Sequence, residues 1–266
     1  RGTDGHWGGG FYNPKWTSTH YTLLELRGLG LAADNSTARD ACELVLRDHT
    51  VRDGGLDPRP TVRHSDVCVN GMALNYLSWF GSDAGGLAGI VDVILAEQMP
   101  DGGFNCRTRR TGATHSSVHT STSVIEGITT YLQAGYAHRR AELCDARASA
   151  VEFLLRHRLF RSVHTGRAIR PDFTRLHYPP RWYFDVLRGL DALRAADVPY
   201  DERMQDACSV LERHRRADGR WAAHRGHPGK THLTYPSPGE PHPWVTLIAL
   251  RVLSAYAGPA DNRTLG

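Results

Sequence analysis

The sequence has no long hydrophobic run. No apolar stretch reaches the ~18 residues that a membrane-spanning helix needs, so no membrane span is expected in it. Blocks of like charge are also missing. The formal net charge is +4 over 266 residues with histidine neutral, and no Lys/Arg cluster forms a basic arm, so nucleic acid is not an expected partner. No segment alternates apolar and polar residues over a useful length, so no substantial sheet is expected. No signal peptide is legible, and whether residues precede Arg1 stays open. Cysteine is sparse and odd in number, five in all. Cys42, Cys144 and Cys208 fall in helical patterns, where a free thiol behaves as a small hydrophobe. That usage fits a reduced, cytoplasmic protein better than a disulfide framework. Histidine, in contrast, is plentiful at 15 residues. Several stand just before or inside repeated helical patterns, which suggests metal or proton chemistry.

The chain repeats itself. Glycine-rich turns "DGHWGGG", "DGGLDPR", "DGGFNCR" and "DGRWAAH" begin at Asp4, Asp53, Asp101 and Asp218. The first two intervals are 49 and 48 residues, and the third, 117, spans two units, the skipped one lacking its Asp-Gly turn. A turn followed by two helices per unit is a helical-repeat signature. Apolar helices are expected at about 17–30, 66–80, 117–134, 181–195 and 243–257, and more amphipathic ones at about 36–49, 84–99, 139–157 and 201–216. Asn35 and Asp83 suit the N-caps of two amphipathic helices. The fold class expected is all-α: an α/α toroid of about five helix pairs in one domain, 1–266, with an inner apolar ring and an outer amphipathic one. An open solenoid is the alternative.

The five inner helices superpose on Leu29, Leu77, Ile128, Leu190 and Leu253. Nine residues earlier stand His20, Cys68, His119, Arg181 and Trp244. Imidazole and thiol are unusual fillers of a packing position, and Asp66 lies two residues before Cys68. Carboxylate, thiolate and imidazole together are zinc chemistry, and three protein ligands leave one position for water or substrate. Asp66, Cys68 and His119 are therefore the candidate metal set. His20 is a candidate catalytic base or fourth ligand, and His115, one turn before His119, is a candidate replacement for it. The plainer reading makes Asp66 an N-cap, Cys68 a buried apolar residue and His119 a hydrogen-bonded histidine.

At these residues a family resemblance becomes specific. "QMPDGGF", with "DGHW" and "DGRW", resembles the repeat of the squalene-cyclase and protein-prenyltransferase β-subunit superfamily. "SDVCVNGMAL" resembles the Asp-x-Cys segment of the prenyltransferase β subunits, and "SSVHTSTSVIEGI" their zinc-histidine segment. The resemblance implies a toroid with a central cavity, zinc on Asp66, Cys68 and His119, and a thiol substrate activated as thiolate. It also places Arg63 where a basic residue contacts diphosphate. The chain departs from the family in having four or five helix pairs rather than six and a shorter spacing from Cys68 to His119. It also lacks both the Asp-x-Asp-Asp and the Asp-Asp-x-x-Asp motifs of terpene enzymes.

Trp182, Tyr183, Trp244 and Arg63 are expected to line a substrate cavity, with Arg181 as a catalytic cation. The expectation is a zinc-dependent enzyme acting on a partly apolar, anionic or isoprenoid small molecule or a thiol, by prenyl or alkyl transfer. Metal-dependent hydrolysis or lyase chemistry is the second reading. A metal-free cyclase using His20 or Asp66 as acid, or a non-catalytic lipid- or peptide-binding toroid, is the third. Whether a partner subunit is needed stays open.

Overall fold

The computed structural model describes residues 1–57 and 65–256. Among these the regular structure is helical, with isolated β-bridges and no strand. The all-α class and the missing sheet are as expected. No described helix is long and apolar enough to cross a membrane. The chain divides into two compact units, Arg1–Phe153 with Pro228–Leu233, and Leu154–His227 with Thr234–Gly266.

The first unit contains α1 (Thr19–Gly28), α2 (Ser36–His49), α3 (Val67–Trp79), α4 (Ala84–Ala96), the single turn α5 (Thr108–Thr111), α6 (Val118–Gln133) and most of α7 (Arg140–Arg156). Asn35 caps α2 by accepting from the N–H of Ala38, and Asp83 caps α4 by accepting from Gly85 and Gly86. α3 and α6 form the heart of this unit. Both are buried on nearly every side, as their predominance of apolar and small residues favours. They cross at a pair of glycines. A Cβ on Gly71 would lie 2.9 Å from the carbonyl oxygen of Ser123, and one on Gly127 would lie 2.2 Å from that of Gly71. Only hydrogen fits at either position.

The repeated turns share one device. The N–H that follows the Asp-Gly pair is held by a polar side chain of the next inner helix. Trp7 donates to Thr19 (2.9 Å), Leu56 to Asn70 (2.8 Å) and Phe104 to Ser121 (2.9 Å). In addition, Asp53 accepts from the N–H and hydroxyl of Ser65, and Asp101 from those of Ser116. Each turn is thereby fastened just before the inner helix begins.

The second unit holds the end of α7, then α8 (Val186–Ala195), α9 (Gln205–Arg213) and α10 (Pro243–Tyr256), with short 3-10 turns at Pro171–Thr174 and Glu202–Met204. α8 packs on both α9 and α10, and Arg251 of α10 pairs with Asp191 of α8 at 2.6 Å. Trp221 is fully buried and repeats the turn device, its backbone N–H donating to Thr246 and its indole N–H to the carbonyl of Leu211.

Two expectations change. α8 begins at Val186 rather than near residue 181. Pro179 and Pro180 cannot donate to a helical ladder, Arg181 takes a left-handed φ of 58°, and Asp185 is the cap, accepting from the N–H of Arg188. α10 keeps one apolar side uncovered, with Leu247 and Leu250 exposed, so it is not an all-round buried inner helix.

Candidate active site

His20, Cys68, His119 and Trp244 are each the second residue of their helices. The register read from sequence thus survives in four units. It fails in the fourth, where Arg181 stands five residues ahead of α8.

The first unit brings several chemically active side chains together around the starts of α3 and α6. Cys68 is half-buried, and its sulfur faces the backbone N–H groups of the first turn of α3. Its partner is Cys106, which lies in the turn between Phe104 and α5. The two thiols share a hydrogen bond, and they titrate apart. That hydrogen bond, burial and the neighbouring sulfur's charge raise Cys68 well above an ordinary thiol. The same hydrogen bond, with further help from the Thr120 hydroxyl and the charge of Arg107, outweighs burial and brings Cys106 down to about 6. At neutral pH the pair is therefore one thiolate, Cys106, accepting from one thiol, Cys68.

Asp66 is the N-cap residue of α3 but makes no capping hydrogen bond with its side chain. Its carboxylate is ion-paired instead with Arg110. Lys15 is near enough to Cys68 and Arg110 to feel both charges. Its ammonium lies 4.9 Å from the centre of the Tyr12 ring. Burial, then the charge of Cys68, pushes the Tyr12 hydroxyl up to about 12, so it stays protonated. The site thus combines two sulfurs, three cations and an aromatic wall.

His20 lies fully buried beside this cluster, ringed by Phe11, Tyr12, Tyr21 and Tyr76. Its Nδ1 is 3.2 Å from the Tyr76 hydroxyl, and its Nε2 has no hydrogen-bond partner. Burial, then Lys15, pushes it down to about 3. It is a neutral imidazole at physiological pH. His119 is the residue before Thr120, whose hydroxyl reaches Cys106. His115 is exposed and gives its carbonyl to the Asn105 side chain. Arg63 lies outside the described residues.

Zinc suits this set in chemistry, since a cysteine sulfur, an imidazole and a carboxylate stand at the starts of α3 and α6. Among the described residues, however, no three His, Cys, Asp or Glu side chains are gathered to hold a metal ion. The two sulfurs are in contact, while the Asp66 carboxylate is given to Arg110.

The remaining expected residues lie in the second unit. Trp182 stacks on Tyr183 (ring centres 3.8 Å apart), Tyr183 on His227 (3.3 Å) and His227 on His177 (5.1 Å). The backbone N–H of His177 donates to Asp185 at 2.9 Å. Burial, then the neighbouring His177, pushes His227 down to about 4. Arg181 is buried. Trp244 belongs to another aromatic group, stacked with Tyr178, which also touches Tyr235 and His242. Trp182 and Tyr183 therefore act as one surface and Trp244 as part of a second.

Sequence reasoning missed Cys106, Lys15 and Tyr12. Cys106 carried a signal: a thiol directly after the "DGGFN" turn, followed by Arg107, Arg109 and Arg110, is a cysteine in a basic setting.

No family model and no curated protein matches the chain. Solved structures similar to it include a variant of the type II terpene cyclase MstE from Scytonema in complex with its product, merosterolic acid A. That structure shows 16% identity and a TM-score of 0.40, over 96% of this chain and 92% of the other. The apo form of type II terpene cyclase MstE shows 16% identity and a TM-score of 0.38, over 83% of this chain and 77% of the other.

Proposed function

We propose that the chain is a zinc-dependent enzyme built on a prenyltransferase-like α/α toroid, with sulfur at its reacting centre. The observation that carries this reading is the Cys68 thiol. It stands at a helix start, half-buried, beside a second sulfur and among Lys15, Arg107 and Arg110. Asp66, Cys68 and His119 would hold the metal. When bound, zinc supplies a Lewis acid that lowers the pKa of a thiol or water and so generates a nucleophile near neutral pH. Asp66 and His119 must turn toward the sulfurs for this.

The chain's own residues supply the rest. Lys15 and Arg110 offer cations to an anionic group such as a diphosphate or carboxylate, Arg110 by a bidentate fork. Tyr12, kept protonated, gives an apolar face with a polar tip. The substrate class that suits this lining is a partly apolar, anionic small molecule, with transfer of a prenyl or alkyl group to sulfur as the reaction. Hydrolysis or elimination at the same centre is the second reading. Metal-free cyclase chemistry is less well supported. It needs a strong acid, whereas His20 is a neutral imidazole at neutral pH, a weak acid, and Asp66 is engaged by Arg110.

Metal analysis of purified protein beside Cys68→Ala tests the reading. One equivalent of zinc in the wild type and none in the variant is expected, together with zinc-dependent turnover of an isoprenoid diphosphate and a thiol acceptor. Protein that takes up no zinc when it is supplied overturns it.

A further inference from the structure

We propose that His6 and His49 form an acid-released clasp that holds the opening turn of the first unit against the end of α2. Four contacts carry the inference. The two Nε2 atoms stand 3.4 Å apart. His6 Nδ1 lies 2.9 Å from the hydroxyl of Thr19, the first residue of α1, and that hydroxyl also accepts from the backbone N–H of Trp7. His49, the last residue of α2, stacks on Phe11 with ring centres 4.6 Å apart. Phe11 in turn meets His20 edge-on, and its carbonyl accepts from the His20 N–H at 2.8 Å. The imidazole pair thus ties the fastening of the first repeated turn to α2. Tyr12 and Lys15 of the candidate site follow on the same stretch of chain, so release of the clasp loosens one wall of that site.

Counting hydrogens gives the pair its response to acid. One Nε2 donates and the other accepts, so a single hydrogen lies between the rings. A first added proton can sit on an outer Nδ1, because the Thr19 hydroxyl can accept as well as donate, and the inner hydrogen bond survives. A second proton puts a hydrogen on both Nε2 atoms, and two positive charges then face each other across 3.4 Å. The charged groups around the pair are already engaged. Asp48 is bonded to Arg47, and Asp4 accepts from the backbone N–H of His6. Asp57 approaches through its own N–H, which meets the His49 carbonyl, and Arg1 stands over the Trp7 ring. Burial, then the charge of His6, holds His49 below the ordinary imidazole range. The opened turn therefore takes up protons that the closed one refuses, and the closed form is weakened as pH falls below about 6.5.

Hydrogen exchange followed by mass spectrometry reads the clasp without reference to activity or metal. Wild type, His49→Phe, His49→Gln and His20→Gln are compared from about pH 7.5 down to about pH 5, with rates corrected for intrinsic exchange. The turn at Phe104, whose N–H is held by Ser121, is the internal control. In wild type, exchange over residues 4–20 should rise on acidification by up to about tenfold per pH unit, the limit for one coupled proton, while residues 101–121 stay level. His49→Phe keeps a ring on Phe11 but cannot titrate, so it should abolish the rise, as should His49→Gln. His20→Gln should retain it. Circular dichroism checks that each variant folds. Wild-type exchange over residues 4–20 that rises no more than that of the control turn overturns the proposal, whatever the variants do. So does a rise that persists in either folded His49 variant. A rise lost in His20→Gln moves the titration to His20 and overturns it as well.

Discussion

His20, a catalytic candidate in the sequence, sits in the fold as a buried imidazole. It shares its helix position with Cys68 and His119, yet aromatic rings surround it, and Tyr76 is its hydrogen-bond partner. Burial holds it at about 3, far below the ordinary 6.5. The unfolded chain therefore binds a proton that the folded chain refuses. On that account, stability falls as pH drops from about 6.5 toward 3, by up to ~1.4 kcal/mol per pH unit from this group. Chemical denaturation of His20→Gln beside wild type across that range should show a shallower decline in the variant. Equal slopes would mean that the native imidazole is not shielded. Cys106 makes the reverse case. A sequence shows a thiol among arginines, but only the chain's path brings it to Cys68, 38 positions away.

At the level of helices, the apolar pattern was read correctly because burial on all sides leaves a compositional trace. α3 and α6 are built almost wholly from apolar and small residues. The boundary of α8 was not legible, because it depends on the φ of 58° at Arg181 and on Asp185 as cap rather than on periodicity. The α3–α6 crossing depends on Gly71 and Gly127, which look unremarkable in the string. Gly127→Ala would press a methyl group into the Gly71 carbonyl, at 2.2 Å before any relaxation. Overpacking of this kind costs about 1–3 kcal/mol. Urea unfolding should show that loss, whereas Gly135→Ala, at a position with open space but a φ of 85°, should lose stability through strain alone.

For the whole molecule, the repeat period and the all-α class were readable because each unit restates one turn and two helices. The division into two units was not, since the junction falls inside a continuous helix, α7. Residues 228–233 belong to the first unit although their neighbours in sequence belong to the second. Trp16 shows this link, its backbone N–H donating to the carbonyl of Lys230 and its indole N–H to that of Pro228. The zinc proposed above would register at this scale too. Zinc at a hundred times its Kd adds about 2.7 kcal/mol to the folded state, and a chelator removes it. Thermal unfolding with and without zinc should show the upward shift in wild type and none in Cys68→Ala.

The fastening of Ser116 by Asp101 has a consequence for how such a protein can diversify. The fourteen positions enclosed, residues 102–115, form a cassette whose two ends are tied to each other. Its exposed stretch, residues 107–115, can be lengthened or rewritten at a closure cost that rises only slowly with length, while the buried Phe104, bonded to Ser121, and the start of α6 stay where they are. Cys106, Arg107 and Arg110 all ride in that cassette, so new specificities can be grafted there without rebuilding the helices beneath.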